Sequence, residues 1–581
     1  MSLNNMTKTS TWTALRNPVF RRLWVASVIS GTWVAAHDTA ATWTMNVLTP
    51  SPFFLSLMST VASMPFFLFT LPAGALADTV DRKKLLCLTN LWLAIGAGGL
   101  AVLGWMHLLN PYAVLSCVFL VGAGFAFNAP AWSSIVPQIV LDTELPSAVT
   151  LGGLQLNIAG IVGPALGGAL VPLIGANLVF AANAACFLVV IRAVLGWKKT
   201  TVQSRLPLES FFESFVTAIR YVRYATGLQV LLARNALFAL IISAIPALMP
   251  VVGLKVLYLS PSSLGLLLTS MSTGSVIAAV VIIPWLRSRF CPNTLTVLAK
   301  LLVLLVYVLM GTVRQPEPFF LFAALAGVGW TVSASELWVA TQRAIPGWAR
   351  GRLNATVIMV SQGAMAFGGV IWGCLATTAG VQNTLAGAAV VLLIGLVLAY
   401  PLSINFTEAL NFDPGPLKDL SHKFISTLQR DHRPLSITMD FKIDSLRRRE
   451  FVNLMREVRL VHLRNGAQRW GLYEDLARPN TFRLEMVVPS WNDHLLQLER
   501  MTKAEEEVLK KAWSHHLGTS PPEERSYISM SKELRTLRQC YFHPSTLPTS
   551  PLDLGIQEIR RLPLPAECDR ANESSRNESS I

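Results

Sequence analysis

The chain is a succession of long apolar segments separated by short polar connections. A helix must be apolar over about 20 residues to cross the hydrocarbon core of a bilayer. Twelve such segments cover residues 23–47, 54–77, 85–106, 112–135, 148–174 and 178–197 and, after a polar gap, 228–252, 264–286, 295–313, 319–340, 353–377 and 384–404. The pattern predicts an all-α, multi-pass membrane protein with two sets of six helices.

The polar gap has a helical pattern of its own. Leu208, Phe212, Phe215 and Ile219 recur at the i, i+3, i+4 spacing, with charged residues between them. This pattern predicts an amphipathic helix, which would lie on the inner membrane surface or bind a partner protein.

After the last apolar segment the pattern becomes that of a soluble domain. Alternating apolar residues and helical periods follow the order β-α-β-β-α-β, which predicts a ferredoxin-like fold. The final segment is rich in Pro, Ser and charge and is predicted to be disordered. The predicted parts are residues 1–197 and 228–405 for the two six-helix halves, 198–227 and 406–433 for linkers, 434–534 for the cytosolic domain and 535–581 for the tail.

Charge indicates the orientation of the helices. Only 14% of the residues are charged, against about 25% in soluble domains, and residues 1–405 carry 22 Lys and Arg against 9 Asp and Glu. Alternate loops on one side hold Lys8, Arg16, Arg21, Arg22, Arg82, Lys83, Lys84, Lys198, Lys199, Arg205, Arg220, Arg223, Arg287, Arg289, Arg343, Arg350 and Arg352, and those on the other side hold only Lys255 and Arg314. The positive-inside rule therefore predicts cytoplasmic termini and accounts for the basic excess without nucleic-acid binding.

The seven cysteines are scattered and include no CxxC pair, so we read them as free thiols. No spacing of Cys, His, Asp or Glu is typical of a metal site. We therefore expect no metal and no cofactor.

Two polar residues stand out in the first predicted helix. A charge in the membrane is costly and usually marks a substrate or ion pathway. Asp38 follows Arg22 by sixteen residues, about 24 Å along a helix, which is slightly beyond the membrane midplane. We expect Asp38 to couple protons or to bind a cationic substrate, and His37 beside it to assist. The alternative is that both residues form hydrogen bonds between helices.

Other candidates are weaker. Glu336 lies near the inner end of the tenth helix, where it would pair with Arg343, Arg350 or Arg352 as an inner gate. Trp33, Trp43 and Gln362 are candidates for the cavity lining, although aromatic residues in helices commonly serve packing alone.

The connection between the second and third helices carries a motif. In GALADTVDRKK, residues 74–84, the residues Gly74, Asp78, Arg82 and Lys83 match a signature loop, and the chain here resembles the major facilitator superfamily. The resemblance implies that Asp78 latches onto the N-terminus of helix 11, where unpaired backbone N–H groups favour an anion. Without the resemblance, the segment is an ordinary positively charged inner loop.

The chain departs from this signature at two points. Asp81 stands where the superfamily usually has a second Gly, a feature of the branch named below. The acid that would pair with Arg82 at the inner end of helix 4 is absent, and Asp142 and Glu144 in the next loop are the nearest carboxylates.

The fifth helix contains GPALGG, with Gly163, Pro164, Gly167 and Gly168, which resembles a motif that the superfamily associates with antiporters. Small residues permit close helix contact and Pro permits a bend, so plain packing is the alternative interpretation. The eleventh helix has a similar run, GGVIWG, at residues 368–373. The two halves therefore look like copies, as in many transporters.

The resemblance extends over nearly the whole chain. Residues 17–24, 48–57, 127–132 and 348–352 are similar to a bacterial branch of the superfamily related to siderophore (enterobactin-type) exporters. That branch often appends a small dimeric domain related to antibiotic-biosynthesis monooxygenases, which implies dimerisation or regulation. Trp470, Tyr473, Trp491 and His494 are candidates for an oxygenase or haem site, but no nucleophile and base are visible there.

These observations predict a non-enzymatic secondary transporter in the bacterial inner membrane that exports a small molecule in exchange for protons. The alternatives are an importer of the same fold and a membrane-tethered enzyme or sensor. Tethering alone requires one helix and does not explain two repeated halves with gating motifs.

Overall fold

The computed structural model describes residues 12–141, 143–197, 219–399, 433–518 and 522–528, and the side chains of residues 75, 78, 79, 398 and 399 lie outside this description. The described residues divide into two compact units, one before residue 413 and one after it. The predicted amphipathic helix before residue 219, the second linker before residue 433 and the predicted disordered tail fall outside the described residues.

The first unit is a bundle of α-helices. In chain order they are α1 Pro18–Leu48, α2 Pro52–Thr79, α3 Arg82–Trp105, α4 Pro111–Ile139, α5 Leu145–Ile174, α6 Ala176–Leu195, α7 Thr226–Val256, α8 Pro261–Arg287, α9 Pro292–Thr312, α10 Pro316–Arg343, α11 Arg350–Thr378 and α12 Val381–Ala399. We call α1–α6 the first half and α7–α12 the second half.

Ten of these helices, α2–α11, are long and apolar enough to cross a membrane. The sequence predicts twelve spans, and α1 and α12 are the two that fall short. The described apolar stretch of α12, Val381–Val397, is shorter than a full span. Helix α1 is 31 residues long, but polar residues such as His37 and Asp38 lower its mean hydropathy.

Local sequence explains where the helices begin and where one is interrupted. Pro18 is the first residue of α1, where its missing N–H costs nothing, and the Asn17 side chain accepts hydrogen bonds from the next free N–H groups. Helix α7 breaks at Ser243 and ends in a π-helical turn at Val252–Val256. Such turns widen the backbone spiral and are frequent at functional sites.

The helices of the two halves pack in a repeated arrangement. Helix α5 packs against α1 of its own half and α8 of the other, whereas α11 packs against α7 of its own half and α2 of the other. The core of the second half includes buried Tyr307, whose hydroxyl donates to the carbonyl oxygen of Ile241 at 2.8 Å. The shared pairing pattern supports the prediction of two related halves.

The second unit is a small four-stranded antiparallel sheet with helices. Its elements are β1 Leu435–Lys442, α13 Arg448–Asn465, β2 Arg469–Glu474, β3 Thr481–Val488, α14 Trp491–Arg500, α15 Lys503–Trp513 and β4 Glu524–Ile528. The strand order is β2-β3-β1-β4. Leu435 pairs with Val488 and Lys442 with Thr481, so β1 and β3 are in register along their whole length.

Alternation along the strands creates the core of this unit. Ile437, Met439 and Phe441 of β1 are buried, as the period of two requires. Helix α13 covers this face with Phe451, whose ring lies 5.4 Å from that of Phe441. At the start of α15, Thr502 and Glu505 form a capping box.

Candidate functional site

Asp38 is exposed on the side of α1 that faces the bundle. Ile29 and Val47 each lie nine residues away, which is half a rotation of a helix with 3.6 residues per turn, and they are 42% and 67% exposed. Those apolar residues lie on the outside of the bundle. Asp38 is therefore on the opposite, inner face, where carboxylates of transporters usually lie.

His37 points elsewhere. Its ring is buried against Phe180 of α6, with centroids 4.8 Å apart, and neither ring nitrogen has a hydrogen-bond partner. Asn183, one turn further along α6, is also buried with both side-chain polar atoms unpartnered. His37 and Asp38 therefore point in different directions, and Asn183 is a further buried polar residue on the side of His37. Asn183 was not predicted because a lone Asn in an apolar run carries no signal.

Of the remaining candidates for the cavity lining, the two tryptophans serve packing and Gln362 has an unpartnered amide oxygen. Trp33 and Trp43 pack against the hydrophobic core cluster that includes Ala36, Met45 and Phe180. Gln362 of α11 has a buried amide oxygen without a hydrogen-bond partner.

The glycines of α5 sit at two crossings. A Cβ on Gly163 would collide with Ala35 of α1, and one on Gly167 would lie 2.5 Å from the carbonyl oxygen of Ala36. A Cβ on Gly168 would lie 2.9 Å from the Cα of Gly265 in α8. The motif therefore brings α5 into backbone contact with both halves, while Pro164 lies buried within it.

The glycines of α11 repeat this arrangement. A Cβ on Gly368 would lie 2.6 Å from the carbonyl oxygen of Leu240 in α7. Cβ atoms on Gly369 and Gly373 would collide with hydroxyl groups of Thr60 and Ser56 in α2. Each half thus contributes one glycine-rich helix that touches one helix of its own half and one of the other.

Hydrogen bonds join the halves toward the end that the charge rule predicts to be outside. The Lys255 ammonium donates to the carbonyl oxygens of Asn46 and Thr49, at 3.2 and 3.0 Å. The Thr60 hydroxyl donates to the carbonyl oxygen of Ala366 at 3.1 Å. One of the two cations predicted on the outer side therefore ties α7 to the end of α1.

The basic residues of the signature loop bind within the first half. Arg82 donates to the carbonyl oxygen of Ser134 at 3.0 Å, so a backbone group takes the place of the absent acid. Lys83 donates to the carbonyl oxygens of Leu195 and Trp197, at 2.9 and 2.7 Å, and so caps the negative end of α6.

The other residues of this loop serve the helix ends. The Asp81 side chain accepts hydrogen bonds from the first N–H groups of α3, which Gly, having no side chain, cannot do. An added Cβ on Gly74 would meet nothing within 4 Å. The Asp78 side chain and residue 142 lie outside the described parts, and Glu144 accepts from the N–H of Leu141 at 3.4 Å.

Glu336 pairs with Arg287, not with the arginines that the sequence suggested. Its side chain is 3% exposed, and the Nε of Arg287 at the end of α8 lies 2.8 Å from it. Helices α8 and α10 pack side by side, so Arg287 reaches Glu336 across one helix contact. The expected pairing of Glu336 with Arg343, Arg350 or Arg352 was therefore wrong.

The four residues considered in the second unit do not form one site. Trp491 and His494 are buried neighbours on α14, with rings 5.7 Å apart. Trp470 is half-buried on β2, and Tyr473 on the same strand is 56% exposed.

The chain's sequence matches one family profile and is similar to several individual proteins. A profile described as "Transmembrane secretion effector", a group within the major facilitator superfamily, matches residues 9–534. Macrolide efflux protein A of Streptococcus pyogenes is 22% identical over 313 residues, which are 53% of this chain and 76% of that protein. The multidrug efflux pump Tap of Mycolicibacterium fortuitum is 25% identical over 59% of this chain and 86% of its own length. Enterobactin exporter EntS of Salmonella typhi is 24% identical over 45% and 63%.

Solved structures show the same fold. The nucleoside transporter NupG superposes with a TM-score of 0.54 at 13% identity, over 66% of this chain and 99% of that one. A bacterial homologue of the human lysosomal transporter Spinster superposes with a TM-score of 0.53 at 14% identity, over 66% and 96%.

Proposed function

The chain belongs to the transmembrane secretion effector family of the major facilitator superfamily, whose members are non-enzymatic secondary transporters, and we propose that it exports a small amphipathic compound in exchange for protons. The named relatives are efflux pumps and exporters, which supports outward transport. Alternating access would use the two glycine-rich crossings. We further propose that the chain lies in the bacterial inner membrane with both termini in the cytoplasm.

The observation that carries proton coupling is the position of Asp38. It is an exposed carboxylate on the inner face of α1, within a helix whose outer face is apolar. A carboxylate there can bind a proton when it faces one side of the membrane and release it on the other. Substrate and proton would then compete for the same cavity, as antiport requires.

Everted membrane vesicles test the proposal with a macrolide and with enterobactin as separate probes. We expect uptake of at least one probe to be driven by a pH gradient in which the vesicle interior is acidic. Asp38→Asn should abolish the dependence of uptake on this gradient. Asp38→Glu keeps the carboxylate and should retain coupling. Thr42→Val, one turn along the same face, is the matched control without a change of charge. Equal uptake with and without the gradient would refute proton coupling.

We propose that the second unit is a ferredoxin-like domain through which two chains associate. Its strand order, β2-β3-β1-β4, and its element order support the fold. Mass measurement of the purified protein in detergent, with and without residues 413–581, tests the association. A monomer in both forms would refute it.

A further inference from the structure

Two basic side chains share a cleft in the membrane-spanning part of the second half. Arg234 of α7 and Lys300 of α9 line it, together with apolar residues of α7 and α12. None of the described residues in this lining is acidic. A cation away from water is costly unless an opposite charge faces it. The cleft therefore favours the binding of an anion.

The ammonium of Lys300 has no partner of its own. In the part of the chain that the structure describes, no group accepts a hydrogen bond from it or forms an ion pair with it. The Lys300 side chain is half-buried and lines the cleft, so a group that enters the cleft can reach it. Arg234 contributes a planar guanidinium, whose geometry matches the oxygens of a phosphate. The two side chains together suit a phosphate group.

Both basic side chains lean toward the side that the charge rule predicts to be cytoplasmic. Helices α7 and α9 begin on that side, at Thr226 and Pro292, and the Cβ atoms of a helix tilt toward its N-terminus. Arg234 and Lys300 each follow the first residue of their helix by eight positions, about 12 Å along the axis. Long basic side chains extend from such a depth toward the lipid headgroups. The two cations therefore lie at matched depths near the inner surface.

The cleft lies on the lipid-facing side of the bundle. Helix α9 packs mainly against α10 and α12 of its own half. Leu298 and Leu301, close to Lys300 on α9, are each 42% exposed, and Leu237 in the wall of the cleft is 47% exposed. Exposed apolar side chains of this kind mark a surface in contact with the membrane. A lipid can therefore reach the cleft from the bilayer.

The cleft is too small for a transported compound. Its volume is about 30 Å³, whereas sites for drug-sized molecules start at about 300 Å³. Toward the membrane centre, Tyr307 lies two turns beyond Lys300, and its hydroxyl donates to the carbonyl oxygen of Ile241, which lines the cleft. This hydrogen bond joins α7 to α9. The cleft therefore ends within the bundle and suits part of a lipid headgroup that enters near the inner surface.

We propose that Arg234 and Lys300 bind the phosphate group of an anionic phospholipid of the inner leaflet, whose acyl chains lie along α7, α9 and α12. Basic pockets between membrane helices on the cytoplasmic side bind anionic headgroups in this way. A zwitterionic phospholipid also carries a phosphate, but the two cations repel its ammonium group. The inference rests on the proposed orientation of the helices and not on proton exchange at Asp38.

Native mass spectrometry of the full chain in detergent tests the proposal with two lipids that share their acyl chains. The probes are dioleoylphosphatidylglycerol, which is anionic, and dioleoylphosphatidylcholine, which is zwitterionic. We expect phosphatidylglycerol to bind more tightly than phosphatidylcholine. Its dissociation constant should rise about fivefold in Lys300→Gln, the factor that corresponds to one cation near a membrane surface. Lys300→Arg keeps the charge and should retain the preference.

Matched variants separate the cleft from charge in general. Lys84→Gln removes an exposed cation from the same predicted side of the first half and should leave the dissociation constant unchanged. Gly395→Val keeps both cations but narrows the cleft, because a Cβ at this position already lies 3.6 Å from the Ile241 side chain. It should weaken binding of phosphatidylglycerol. Gly387→Val in the same helix is its control, since a Cβ there meets nothing within 4 Å.

Three results would overturn the proposal of a lipid site in the cleft. The first is an unchanged preference for phosphatidylglycerol in Lys300→Gln, and the second is an equal loss in Lys300→Gln and Lys84→Gln. The third is release of phosphatidylglycerol by inorganic phosphate but not by chloride of the same ionic strength, because the ligand would then be a soluble anion.

Discussion

One close approach between the halves is a contact between two glycines, and it gives the sharpest prediction. In Gly168→Ala the new Cβ would lie 2.8 Å from the carbonyl oxygen of Pro261 and 2.9 Å from the Cα of Gly265, where ordinary contacts need at least 3.4 Å. These are backbone atoms, which cannot turn aside as a side chain can. Helices α5 and α8 must therefore separate at this crossing.

The cost follows from overpacking. Added methyl groups in tight cores cost about 1–3 kcal/mol, and that difference shifts a two-state equilibrium about fivefold to 150-fold. We expect Gly168→Ala to depopulate the conformation described here by such a factor and to slow transport. Gly265→Ala should act in the same direction, because its Cβ would meet the backbone of α5.

Spin labels at Met106 and Tyr258 provide the assay, since both residues are well exposed near the predicted outer ends of the two halves. Double electron–electron resonance should report a longer distance or a broader distribution in Gly168→Ala. Gly153→Ala is the matched control, because it lies in the same helix and a Cβ there meets nothing within 4 Å. If Gly168→Ala and Gly153→Ala give the same distances and the same transport rate, the reasoning is refuted.

Three further outcomes can be measured. Arg287→Ala should destabilise the membrane unit more than Glu336→Gln, because the loss of Arg287 leaves a buried carboxylate unpaired. A lower melting temperature in detergent for Glu336→Gln than for Arg287→Ala would contradict this. Burial lowers the pKa of His462 to about 4, so this residue is protonated more readily in the unfolded state than in the folded state. The second unit should therefore lose stability, on the order of 3 kcal/mol, as the pH falls from 6.5 to about 4. Hydrogen exchange should show a smaller loss of stability in His462→Gln. Cys291 is exposed in a predicted inner loop, so it should react with an impermeant maleimide in everted vesicles and not in intact cells. Tyr258→Cys, in a chain whose other cysteines are all replaced by Ser, should react in intact cells and not in everted vesicles.

The positions of the helices were readable because apolar length is a local property. The predicted segment 85–106 became α3, Arg82–Trp105, and residues 319–340 lie within α10. The break at Ser243 was not predicted, although Pro246 follows it closely and has no N–H to bond the carbonyl oxygen of Ile242. In the second unit, the predicted alternation of apolar residues is equally local, and the first predicted strand formed as β1, Leu435–Lys442.

Contacts between distant residues were harder to predict. The glycine motifs were recognised from their composition, but their partners in α1, α2, α7 and α8 depend on how the helices pack. Glu336 had three nearby arginines in the sequence, and the structure supplies a fourth, Arg287, from another helix. The buried contact between His462 and Gln497 in the second unit went unnoticed because the two residues are 35 residues apart and neither belongs to a motif.

The glycine crossings also bear on how fast the two halves can move. Where long side chains interlock, one helix slides past another only after rotamers change, and each change adds to the barrier. At Gly168 and Gly265 two smooth backbones meet, so motion there meets little resistance. We therefore expect the barrier to reside in bonds that have to break, such as those from Lys255 to the carbonyl oxygens of Asn46 and Thr49. The small residues would then determine where the protein bends, and the hydrogen bonds at one end would determine how often.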